Sequence, residues 1–183
     1  MYGLFMVELY KYANSRLGAD SWNALLKESG IGQRIYITSA EYPDQEMIDL
    51  VSAISKMTKD PVAVVLEDFG EFIAQNLIGI YGSLVDPRWK TLDLLENTGG
   101  LIHARIHSMN PETKPPDLKC ERVAPDEVIV TYNSARGMCG MVKGLVKGFA
   151  KHYNERVSVT ETRCMLKGHV NCEISVKLLS KDS

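Results

Sequence analysis

Tyr2, Phe5, Met6, Leu9, Tyr10 and Ala13 recur at the i, i+3, i+4, i+7, i+8, i+11 spacing that puts side chains on one helix face. Asp20 reads as the N-cap of a short second helix carrying Trp22, Leu25 and Leu26, stopped by Ser29-Gly30. Beyond Pro43, the positions Met47, Leu50, Val51 and Ile54 repeat the period. Asp60-Pro61 sets a capping side chain before a proline at the first helical position, opening a long helix through Val65, Phe69, Phe72, Ile73 and Leu77. Gly79, Gly82 and Pro87 break that pattern. Thr91 then caps a helix with Leu92, Leu95, Ile102 and Ile106 inside, running to Asn110-Pro111. There the period changes to two. Residues 118–123 and 128–132 are β-rich runs joined by Ala124-Pro125-Asp126-Glu127, which predicts a hairpin. A helix with Met138, Met141, Val142, Leu145 and Phe149 on one side follows. Strand-like runs over 157–165 and 170–179, joined by Leu166-Lys167-Gly168-His169, close the chain. Only Lys181-Asp182-Ser183 reads as a frayed tail. A helical half followed by a β-β-α-β-β half predicts an α+β architecture.

Composition narrows the classes. With 45% hydrophobic residues over 183 positions the chain can build a large core, which excludes general disorder. A formal charge of −2, with no long Lys/Arg stripe, argues against nucleic acid as a partner. No apolar run approaches the roughly 20 residues of a membrane span. The N-terminus lacks the basic stretch of a signal peptide and meets an acid at Glu8, and Gly3 does not directly follow Met1, so the myristoylation pattern fails. Cys120, Cys139, Cys164 and Cys172 are therefore expected in a reducing cytoplasm, as thiols or metal ligands.

Three features near the middle carry chemistry. His103 lies between Ile102 and Ile106, close to the apolar stripe of its helix. A buried neutral imidazole without a partner is costly, so a backbone carbonyl or a ligand should engage its ring nitrogen. Gly99, one turn earlier on the same face, leaves space for a flat object. His107 at i+4 lacks the Glu of an H-E-x-x-H metal motif and reads as solvated. In Tyr132-Asn133-Ser134-Ala135-Arg136, strand alternation would put Tyr132, Ser134 and Arg136 on one side. Three inward donors with no acceptor are heavily penalised. The row is either a solvent-facing strand edge or a clamp on an anion, with Arg136 able to grip a carboxylate bidentately. Pro111-Glu112-Thr113-Lys114-Pro115-Pro116 forms a stiff connection between the histidine helix and the first strand.

In that order, Leu101-Ile102-His103, the Pro-rich link, Cys120, Tyr132-x-Ser134-x-Arg136 and a helix with Gly144 resemble the H-NOX family of haem-nitric oxide/oxygen binding domains, in its stand-alone bacterial form. The family also includes the haem domain of soluble guanylate cyclase. The resemblance covers essentially the whole chain. It implies one sensor domain over 1–183: a helical distal part over about 1–65, a proximal part with haem helix and four-stranded antiparallel sheet over about 66–180, and haem b between them. It implies no catalytic activity. It assigns His103 as proximal iron ligand, Tyr132, Ser134 and Arg136 as the clamp on the haem propionates, and Pro116 as the residue that distorts the porphyrin. Axial ligand, pocket polarity and macrocycle distortion would then be the levers on the iron.

Oxygen-binding members carry a Tyr five residues beyond the Arg, where this chain has Met141, and tend to surround it with a Trp and an Asn, where this chain has Leu9 and Ile73. The expected pocket lining is Phe5, Leu9, Ile73, Leu77, Met141 and Leu145, with no hydrogen-bond donor. Bound O₂ takes up negative charge and needs a donor, whereas NO and CO are held mainly by the metal. A charge-assisted hydrogen bond contributes about 1.5–3 kcal/mol, roughly ten- to a hundredfold in affinity. The expectation is therefore NO and CO selected over O₂. NO ligation weakens the bond on the far side of iron, so the His103–Fe bond is expected to lengthen or break, letting the haem flatten and the two halves shift.

Cys164 and Cys172 flank the final hairpin turn, with Cys139 at the start of the preceding helix. Three thiolates suit tetrahedral Zn²⁺. The spacing resembles that of some bacterial H-NOX proteins, which carry a zinc held by three Cys and one His, and this sequence departs from that pattern. Here the expected His position is Glu161, which can ligate through oxygen, or His169 can supply the fourth ligand from the turn. If zinc is absent, these are buried unligated cysteines. If present, the same thiolates can sense oxidants.

Three function classes follow. The first is a haem-based NO sensor signalling to a separate protein, for which the resemblance suggests a histidine kinase or a cyclic-di-GMP enzyme. The second is a zinc-thiolate redox sensor on the same fold. The third, an enzyme with a Cys nucleophile, finds no Cys–His–acid spacing to support it.

Overall fold

The structure is a computed structural model that describes residues 1–109, 111 and 114–180. Lys181-Asp182-Ser183, and within the proline-rich link Asn110, Glu112 and Thr113, lie outside the described residues. The helical half comprises α1 (Gly3–Leu17), α2 (Ser21–Glu28), α3 (Asp44–Thr58) and α4 (Val62–Tyr81). Met6, Leu9, Met47, Leu50, Ile54, Phe69 and Ile73 are fully buried where these four helices meet. Periodicity misplaces Tyr10, which is 43% exposed and packs its ring edge on Trp22 at 5.2 Å.

The helix starts differ in detail from expectation. Asp20 occupies the N-cap position of α2 but makes no capping hydrogen bond. Pro61 is the N-cap residue of α4, not its first helical residue. Thr91 is the first residue of α5 (Thr91–Asn97), and its N–H donates to Glu155 Oε2 at 3.0 Å. The side chain that acts at that helix start is Asp93, whose Oδ2 accepts the Lys90 N–H at 3.0 Å.

The helix expected to run unbroken from Thr91 is interrupted. A π-helical segment, Thr98–Ile102, separates α5 from α6 (His103–Met109), and the His103 N–H donates to Thr98 O, five residues back. A π segment inserts an extra residue per turn and so re-aims whatever follows it. Its start is fixed by contact: a Cβ on Gly99 would lie 1.9 Å from Leu118 O. The absence of a side chain there lets the segment touch the next strand, and does not make room for a flat ligand as the sequence suggested.

The sheet consists of β1 (Asp117–Ala124), β2 (Glu127–Asn133), β3 (Val157–Arg163) and β4 (Cys172–Leu178), all antiparallel in the order β1-β2-β4-β3. Its buried face, with Val128, Val130, Tyr132, Ile174 and Val176, packs on α5 and on α7 (Cys139–His152). Among the described residues there are thus two cores, one helical and one on the sheet. The division expected near residue 65 falls inside α4, a single helix whose Val65, Phe69 and Ile73 belong to the helical core. α4 also lies along α7. Glycines at 140, 144 and 148 face it, and a Cβ on Gly144 would lie 1.9 Å from Glu67 O. Flanking this close crossing, Lys143 and Lys147 pair with Glu67 and Lys151 with Glu71. No described helix is long and apolar enough to cross a membrane.

Candidate functional site

Where the helical half meets the sheet half, a cavity opens between the ends of α1 and α4, the flank of α7, the α5–α6 segment and strands β1 and β2. It is lined by His103, Pro116, Tyr132, Arg136, Met141 and Leu145, and by Phe5 and Leu77. The α5–α6 side adds Leu94, Leu95, Ile102 and Ile106. The sequence-assigned residues Leu9, Ile73 and Ser134 do not line it. Leu9 and Ile73 are wholly buried in the helical core instead, because their helix faces point between helices and not into the gap. The open space is about 200 Å³.

Burial holds the His103 pKa below its ordinary value. Its ring is therefore neutral near pH 7, with a nitrogen lone pair to offer, the form that ligates metals. The π segment just before it sets the direction of that ring.

The Tyr132–Arg136 stretch is not the extended row expected. β2 ends at Asn133 and the chain turns, so strand alternation stops before Ser134. The Ser134 hydroxyl accepts the Arg136 N–H at 3.3 Å, and Ser134 O accepts the Gly137 N–H at 3.0 Å. Tyr132 is buried, and its Oη accepts the Met138 N–H at 3.1 Å, leaving the phenol proton to donate. Burial raises the Tyr132 pKa, so the phenol stays protonated. Arg136 Nη1 donates to Lys114 O at 2.8 Å, tying the turn to the proline-rich link. Its Nε sits 2.9 Å from Asp44 Oδ2 in a charge contact, yet that buried N–H meets no acceptor in line. Arg136 lines the cavity with its charge shared with Asp44, and a guanidinium at an apolar wall can also reach a ligand carboxylate.

Asp44 also lies 2.7 Å from the Met1 ammonium. Burial opposes its ionisation, but the Met1 ammonium and Arg136 outweigh that and lower its pKa. The first residue of the chain, α3 and the clamp turn thus meet at one edge of the cavity.

The sequence missed four polar lining residues, Tyr2, Tyr81, Thr98 and Lys114. The set expected to be donor-free is apolar at Phe5, Leu77, Met141 and Leu145, but the cavity as a whole carries two phenols besides Tyr132. Tyr81 ends α4, eleven residues or about 16 Å of helix rise beyond Gly70, where an added Cβ would lie 2.2 Å from Met141 O. A spacing rule applied after Arg136 had no means of finding it.

A second constellation lies on the other side of the same turn. Cys139 Sγ, Cys164 Sγ, Cys172 Sγ and a Glu161 carboxylate oxygen all lie within 4.8 Å of one another. The Cys139 and Cys164 sulfurs are 3.9 Å apart, and the Met165 N–H points at Cys172 Sγ at 3.3 Å. Glu161 Oε1 is buried without a hydrogen-bond partner. Burial raises the Cys139 and Cys172 thiol pKa values. Three soft donors and an orphaned carboxylate oxygen at mutual ligand distance fit a tetrahedral dication, which would displace the thiol protons. Of the two alternatives for a fourth donor, the structure brings in Glu161. His169 is exposed in the turn and outside the group. Cys120 stands apart on β1, half-buried, its pKa pushed up to about 12 by burial and by Glu96.

Comparison with known proteins agrees with this architecture. A sequence model of the Haem-NO-binding family matches residues 2–161. The chain belongs to that family, H-NOX, whose members are haem-binding gas sensors and not themselves catalysts. Among solved structures, an H-NOX protein from S. oneidensis in the Fe(II)NO state superposes with a TM-score of 0.91 at 22% identity, over 98% of this chain and all of that one. Unliganded Fe(II) H-NOX from K. algicida gives 0.88 at 16% identity, covering all of this chain and 99% of that one. An I5F mutant of T. Tengcongensis H-NOX gives 0.85 at 22%, with both chains fully covered. Soluble guanylate cyclase gcy-31 of Caenorhabditis elegans is 21% identical over 163 residues, which are 88% of this chain and 23% of that longer protein.

Proposed function

We propose that this chain senses NO, and CO, at ferrous haem b and excludes O₂, passing the signal to a separate effector protein in a reducing cytoplasm. What carries this reading is the convergence, on one largely apolar cavity, of a half-buried, neutral imidazole at His103 and the guanidinium of Arg136. Bound haem would supply the iron that holds the gas. His103 would hold the metal through its ring nitrogen, while Tyr132, Ser134 and Arg136 would orient the propionates. Pro116 would press on the macrocycle. Phe5, Leu77, Met141 and Leu145 offer no donor to a bound O₂, which favours the gases that need none. Release of the His103 hold would free α6 and, through the π segment and β1, shift the sheet half against the helical half. A histidine kinase or a cyclic-di-GMP enzyme is the class of effector we favour.

Ferrous protein prepared anaerobically tests this reading. A strong Soret band that moves with NO and CO supports it, whereas lack of a haem band after reconstitution contradicts it.

The grouping of Cys139, Glu161, Cys164 and Cys172 favours a second function on the same fold: a zinc site whose thiolates respond to oxidants. One equivalent of zinc per chain, lost on Cys172→Ser, supports it. Absence of zinc from protein expressed in zinc-supplemented medium contradicts it.

A further inference from the structure

The haem cavity and the thiol cluster share a single short piece of chain. Tyr132 lines the cavity, and its register partner across the β2–β4 ladder is Cys172. Met138 also lines the cavity, and the next residue is Cys139. The Tyr132 hydroxyl and the Met138 N–H close residues 132–138 into a loop, stiffened from within by the two hydrogen bonds of Ser134. On the cluster side, Gly137 abuts Leu166 in the turn between Cys164 and Cys172, where a Cβ would come within 3.0 Å of Leu166 Cδ2. One face of this loop therefore presents Tyr132 and Arg136 to a haem, while its two ends carry, or pair with, two of the four cluster ligands.

We propose that metal binding at the Cys139–Glu161–Cys164–Cys172 cluster and haem binding in the cavity are positively coupled through the 132–138 loop, so that loss of the cluster metal loosens the grip on haem. The inference rests on both readings proposed above. Its sign follows from ordering costs. An ion drawing ligands from α7, β3, β4 and the turn before β4 fixes the start of α7 against Cys172, and so fixes both ends of the loop. A haem arriving afterwards finds its clamp already ordered, and the reverse order of binding gains equally. Coupling between binding sites is reciprocal and typically about 5- to 150-fold.

The test uses the whole chain loaded with haem and zinc. Zinc is stripped by a chelator with the thiols kept reduced, and the rate of haem transfer to a scavenging apoglobin is measured before and after. We expect at least about fivefold faster haem loss without zinc, reversed when zinc is returned. Zinc affinity, measured by competition with a chromogenic chelator, should rise when haem is bound by the factor by which zinc raises haem affinity, a readout that needs no variant. Tyr132→Phe removes the oxygen to which Met138 donates, and in it zinc removal should change the haem rate less than about twofold. Equal haem-loss rates with and without zinc in the unaltered chain overturn the coupling while leaving both sites standing. A chain that takes up haem but no zinc overturns the cluster reading together with the coupling.

Discussion

In the proposed function His103 and Met141 have opposite tasks, one to offer a lone pair and the other to offer nothing. Replacing His103 by Gly removes the ring nitrogen but little of the wall, so the variant should lose its Soret band and regain one when imidazole is supplied. Met141→Tyr places a phenol where a bound O₂ would carry negative charge. It should raise O₂ affinity roughly ten- to a hundredfold, read by optical titration, while leaving NO binding nearly unchanged. His103 and Arg136 stood out as costly residues in their local patterns, but the pattern left their roles open and only the family resemblance assigned them; both line the cavity. Leu9 and Ile73 were misread for a related reason. A helical period says which face is buried, but not whether that face meets a cavity or another helix. Tyr81, about three turns beyond Gly70 on α4, enters the cavity through tertiary packing that no local spacing encodes.

Among the elements, the segment from Thr91 to Met109 departs most from its sequence pattern. Its apolar positions suit one continuous helix, yet it contains five π-helical residues just before the histidine. The cause is the contact of Gly99 with the Leu118 carbonyl, set by a strand that follows 18 residues later. Gly99→Ala should force the segment off β1, at roughly 1–3 kcal/mol of overpacking and several degrees of Tm, and should weaken haem binding. Gly100→Ala meets open space and should change neither by much. Equal effects of the two substitutions would show that contact with β1 does not position His103. The same limit explains the clamp: period two predicted a straight row over 132–136, but the chain turns after Asn133 to start α7, and the Ser134 hydrogen bonds that hold the turn are local chemistry outside the strand template.

At the scale of the whole molecule, α4 joins the two cores, and Asp44 links the helical half to the clamp turn through Arg136. The Asp44 pKa is lowered in the fold, so its contribution to stability is complete above the ordinary aspartate value of 3.8 and is lost as pH falls through the lower folded value. The link should therefore persist across neutral and mildly acid pH and fail below about pH 4. The acid arm of a Tm–pH curve should be shallower in Asp44→Asn than in the unaltered chain. Glu67, held low by Lys147 and Lys143 against the opposing effect of burial, adds loss in the same direction. The α+β order and the first hairpin were readable from period and turn residues, but the β2–β4 pairing was not; the meeting of Met1, Asp44 and Arg136 joins residues up to 135 positions apart, and the sequence holds no signal for it. The account's central claim is that His103 holds iron in a cavity where Phe5, Leu77, Met141 and Leu145 offer a bound gas no donor. Its most direct test is the room-temperature absorption spectrum of the ferrous, haem-loaded chain under O₂ and then under NO. The account predicts no O₂ complex and, with NO, a shift to the five-coordinate form in which the histidine has let go. A stable O₂ complex, or an NO complex that stays six-coordinate, would contradict it.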